Sequence, residues 1–129
     1  MKYLILILFI FLSFDTFAAK WTKIDEDSDL SLFIDESSIE KREAFTVVWI
    51  KKTYKSKQYT MRFKFNYIEM HAYQKYDCKN KKVAYKQAII YDKNGSQGGN
   101  ISLDYPKWEY VITDSYNEVI YNYICNLNN

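Results

Sequence analysis

His71 is the only histidine in this 129-residue chain, and Cys78 and Cys125 are its only cysteines. A catalytic nucleophile needs a base beside it and a third group to orient that base. No Ser, Cys or Asp signature surrounds His71, so catalysis is not expected of this chain. Asp25, Asp27, Asp29, Ser31, Phe33 and Glu36 do fall at the ligand spacing of a calcium-binding loop. Leu30, however, stands where that loop needs Gly for its sharp turn, and Phe33-Ile34 has strand character. An acidic, solvated loop is therefore predicted, with no metal and no cofactor.

The charge pattern carries more than the net charge of +2. Residues 20–44 hold 4 basic and 8 acidic side chains, residues 45–100 hold 12 and 3, and residues 101–129 hold 1 and 4. Lys75, Lys79, Lys81, Lys82 and Lys86 cluster in the basic middle, interleaved with Tyr73, Tyr76 and Tyr85. Such a surface can attract an anionic glycan or an acidic protein patch, with the rings adding contact area. The same lysines also suit the solvated face and protected edges of an antiparallel sheet. Both readings stand on sequence alone.

These residues must be positioned by an aromatic-rich, Gly- and Pro-poor chain, a composition that favours pleated, half-buried surfaces. Short strands are predicted at Trp21 to Ile24 and Leu30 to Ile34. A stronger, inner strand is predicted over Phe45 to Tyr54, where Phe45, Val47 and Trp49 alternate with Val48 and Ile50. Apolar residues then alternate from Tyr59 to Tyr67 and slip phase near Tyr67, which predicts a strand with a bulge or break there. Met70 to Cys78 and Lys82 to Tyr91 flank Lys79-Asn80-Lys81 as a hairpin. Asp92 to Asn100, with Asn94-Gly95 and Gly98-Gly99, has the composition of a loop, and Trp108 to Ile112 of one more short strand. Ser115 and Glu118 form a capping-box pattern ahead of Tyr116, Ile120, Tyr123, Ile124 and Leu127 at helical spacing. The fold class is thus α+β.

Compartment follows from the start of the chain. Lys2, the apolar run Leu4 to Leu12, and Thr16 and Ala18 at the −3 and −1 positions of a cut predict a signal peptide over residues 1–18. Residues 19–129 are then one domain of about 110 residues, a size that gains from a cross-link. No later segment is apolar for long enough to span a bilayer, and no cysteine follows the cut to carry a lipid. An exported chain with two cysteines predicts one disulfide, Cys78 to Cys125. Export also argues against a nucleic-acid partner.

The order of these marks resembles the surface-adhesin protein E-like family of small exported bacterial proteins. The resemblance rests on Trp21, Leu32-Phe33-Ile34-Asp35, Ser38-Ile39 and Val48-Trp49-Ile50. It continues through Tyr76-Asp77-Cys78-Lys79, Tyr85, Asn94-Gly95, Trp108, Ser115 and Cys125. It implies a curved antiparallel sheet of about six strands, with the C-terminal helix held on its concave side by the disulfide. It further implies a surface adhesin for host matrix proteins such as vitronectin and laminin. Lys75, Tyr76, Lys79, Lys81, Lys82, Tyr85 and Lys86 would then form the contact segment. A periplasmic, envelope-associated role with no host ligand is the alternative.

Overall fold

The computed structural model describes residues 19–127; the predicted signal peptide lies outside the described residues. Strands β1 (Trp21–Glu26), β2 (Leu30–Asp35), β4 (Thr46–Thr60), β5 (Phe65–Asp77), β6 (Lys82–Tyr91) and β7 (Gln97–Ser102) follow one another across a wholly antiparallel sheet. Two-residue strands extend it, β3 (Glu40–Lys41) on β4 and β8 (Glu109–Tyr110) on β6. Helix α1 (Tyr116–Cys125) lies on the concave face of this open, curved sheet.

Side chains alternate between the two faces of a strand, and that alternation builds the core. Leu30, Leu32 and Ile34 from β2, Val48 and Ile50 from β4, Ala72 from β5 and Val83 from β6 meet Ile120 and Ile124 of the helix. Each fully buried isoleucine or leucine contributes about 1.5–3 kcal/mol. Ten residues are too few for a helix to persist alone in water, so this packing holds α1. Its start is capped as the sequence predicts, with Ser115 Oγ accepting from the Glu118 N–H at 3.2 Å. The Glu118 carboxylate reaches one residue farther back than a capping box, accepting from the Asp114 N–H at 3.3 Å. Leu127, expected on the helix's apolar stripe, lies beyond the last turn and is exposed.

Three sequence expectations change. Tyr59 to Tyr67 is not one strand: β4 runs on to Thr60, residues 61–64 turn, and β5 begins at Phe65. Lys64 takes a left-handed conformation (φ 48°) to close that turn. The phase slip falls at Ile68, where the pairing steps from Thr53↔Glu69 to Gln58↔Tyr67. Gly98-Gly99 lies in strand β7, not in a loop, because the Phe65 and Phe63 rings fold onto it. A Cβ on Gly99 would stand 2.6 Å from the Phe63 ring, and one on Gly98 would overlap the Phe65 ring. Of Trp108 to Ile112, only Glu109–Tyr110 pairs as strand.

Candidate partner-binding surface

The β5–β6 hairpin gathers the lysine cluster at one end of the sheet. Asp77 folds the turn, its Oδ1 accepting the N–H groups of Lys79 and Asn80 at 3.0 Å and its Oδ2 the Asn80 amide at 2.8 Å. The Asn80 side chain foremost, with those backbone donors, holds the Asp77 carboxyl below its ordinary range. Lys81 closes the turn in a left-handed conformation (φ 52°). Immediately beside the turn, Cys78 is bonded to Cys125, with the two Cα atoms 5.6 Å apart.

The seven residues grouped by sequence divide into three sets. Tyr76 is fully buried, a correction to its placement among surface contacts: it shares the helix-facing parity of Ala72 and Gln74. Its hydroxyl donates to Gln74 Oε1 at 2.9 Å, and burial pushes its pKa up. Tyr85 joins the same knot through Asn117 of the helix, at 3.2 Å. Lys81 and Lys86 tie elements together. Lys81 Nζ lies 3.1 Å from Glu118 on α1, and Lys86, the extra residue at a β-bulge, donates to the Leu103 carbonyl at 2.7 Å. Lys75, Lys79 and Lys82 remain available to a partner. Lys75 Nζ stands 4.6 Å from the Phe45 ring centroid and Lys82 Nζ 4.9 Å from that of Tyr110.

Two cations of the acidic segment 20–44 also belong to this surface. Lys41 and Arg42 line, with Lys79, Phe45, Ile39 and Ile124, an open groove of about 490 Å³ beside the disulfide. The Arg42 guanidinium lies 5.7 Å from the Phe45 ring centroid, so Lys75 and Arg42 both engage one ring. Glu40 pairs with Arg42 at 3.3 Å, and Glu43 and Asp77 contribute to the lining. The signal that could have found them is strand pairing, because Thr46↔Tyr76 sets Phe45 beside the end of β5. The groove therefore brings together a ring, apolar side chains and three cations against two carboxylates, which suits an acidic, partly apolar segment.

The other candidate residues lie outside the groove. His71 sits between the rings of Trp21 and Tyr91, at 5.1 and 4.7 Å, with Glu69 3.1 Å from Nε2. Burial lowers its pKa, against the opposing pull of Glu69. Asp27 accepts the N–H groups of Asp29 and Leu30 and the Tyr116 hydroxyl, and Asp35 accepts from Lys20 and Ser37. Those carboxylates shape turns. Ser31 and Phe33, two positions of the supposed calcium loop, lie within β2.

An antiparallel sheet with one disulfide-tied helix, and an open groove beside the disulfide lined by charges of both signs, defines a small α+β module. A match to the surface-adhesin protein E family covers residues 21–126, and the chain belongs to that family. Its fold is that of Haemophilus influenzae protein E: one crystal structure matches with a TM-score of 0.53 at 16% identity, over 81% of this chain and 92% of that one. A second crystal form matches at 0.54 and 16%, over 84% and 95%. The structure of protein E from non-typeable Haemophilus influenzae matches at 0.52 and 15%, over 84% and 85%. No curated protein matches the chain in sequence.

Proposed function

We propose that this chain is an exported, non-enzymatic binding module that acts as a surface adhesin, contacting acidic segments of host matrix proteins or anionic glycans through the groove beside the disulfide. The observation that carries the reading is the groove that gathers Lys41, Arg42 and Lys79 with Phe45, whose ring Arg42 and Lys75 both engage. Family membership supports an adhesin role, and vitronectin- and laminin-like proteins are the partner class proposed from the resemblance. The disulfide and the signal-like start support export. No helix among the described residues is long and apolar enough to cross a membrane.

Cells producing the protein are expected to lose it to protease added outside and to adhere to immobilised vitronectin or laminin in a salt-sensitive way. Full protection from protease, with no gain in adhesion, would instead place the protein in the periplasm as an envelope-associated component and remove the adhesin reading.

A further inference from the structure

The β4–β5 turn lies at the opposite end of β5 from the groove, about 40 Å away along a 13-residue strand. It is built differently from the groove. Thr60↔Phe65 closes the hairpin, and the rings of Phe63 and Phe65 brace it against Gly99 and Gly98 of β7. With those two rings turned inward, Met61 is 83% exposed and Tyr59 58% exposed at the tip. Arg62 and Lys64 follow Met61 within the same turn, and Lys57, Lys64 and Lys93 line one open cavity there. Asp92 shares that cavity, but its carboxylate accepts the N–H groups of Asn94 and Ser96 at 2.8 and 2.9 Å and so folds the β6–β7 turn. Among the described residues, Lys57, Arg62, Lys64 and Lys93 enter no ion pair, whereas nearby Lys55 pairs with Glu26 at 3.3 Å.

We propose that this hairpin tip docks on an anionic lipid surface, with Met61 and Tyr59 entering the headgroup boundary and Lys57, Arg62, Lys64 and Lys93 on the lipid phosphates. An exposed thioether and phenol amid cations fit a bilayer interface, which solvates apolar, aromatic and charged groups at successive depths. A sulfated glycan would match the cations and leave Met61 without a role. Docking by the tip leaves the groove at the far end accessible.

Sedimentation of the purified protein with vesicles tests this. Binding is expected with mixed phosphatidylcholine and phosphatidylglycerol, and not with phosphatidylcholine alone. Lys57→Gln and Lys64→Gln should each weaken it about fivefold. Met61→Ser should weaken it too, while leaving retention on heparin unchanged. All three side chains are solvent-facing, and an unchanged thermal midpoint would confirm that each variant folds. Groove substitutions such as Lys79→Glu should leave vesicle binding intact, which keeps this proposal separable from the adhesin reading. No sedimentation with anionic vesicles, or binding that Met61→Ser leaves untouched while heparin competes it away, would overturn it, the latter in favour of a glycan.

Discussion

Replacing Cys78 and Cys125 together with serine is expected to lower stability by roughly 4 kcal/mol, the loop-closure value for a cross-link spanning 47 residues. The bond joins the first residue after β5 to the last residue of α1, so it fixes the one helix to the β5–β6 turn. Without it, the packing of Ile120 and Ile124 and side-chain contacts such as those of Asn117 and Glu118 must hold a ten-residue helix over the core. Urea unfolding followed by far-UV and near-UV circular dichroism measures the change, and the two signals should move together to a lower midpoint. A loss below about 1 kcal/mol would show that packing alone fixes the helix and that the cross-link adds little.

Tyr76→Ala is expected to cost about 3–5 kcal/mol, the range for deleting a fully buried aromatic side chain. Tyr76→Phe separates the hydroxyl from the ring. It keeps the packing but removes the donor to Gln74 Oε1, a loss of about 1–3 kcal/mol if that oxygen stays buried without a partner. The knot also contains Tyr85 and Asn117, so the two single losses should not add, and a double-mutant cycle of Tyr76→Phe with Asn117→Ala would expose their coupling. Thermal or urea unfolding checks both variants. A surface contact would behave otherwise, with stability within about 0.5 kcal/mol of the parent.

Tyr76 also shows where the sequence could be read and where it could not. Its parity with Ala72 and Gln74 was visible in the strand pattern, yet its neighbours Lys75 and Lys79 drew it toward the surface cluster. Local signals transferred well. Ser115 and the helical spacing located α1, and a short polar turn between two β-rich runs located the β5–β6 hairpin. Non-local ones did not. Phe63 and Phe65 kept an alternating pattern through the β4–β5 turn because both rings serve β7, far along the chain. Gly98-Gly99 has loop composition, yet it is strand because those same rings need a surface without Cβ atoms. The groove was half legible: Lys75 and Lys79 stood out by density, whereas Lys41 and Arg42 reach it only through the pairing of β3, β4 and β5.

The fold separates two cationic ends by the length of β5, so charge reversal at each end can be compared at equal net charge. Retention on immobilised vitronectin and on heparin across a salt gradient is the most direct measurement of the groove's role. The triple substitution Lys41→Glu, Arg42→Glu and Lys79→Glu should weaken retention by roughly tenfold or more and flatten its salt dependence. The same reversal at Lys57, Lys64 and Lys93 should leave retention on vitronectin close to the parent's. Equal losses from both triples would reduce the groove to one part of a diffuse basic surface, and unchanged retention of the groove variant would contradict its assignment as the partner-binding site.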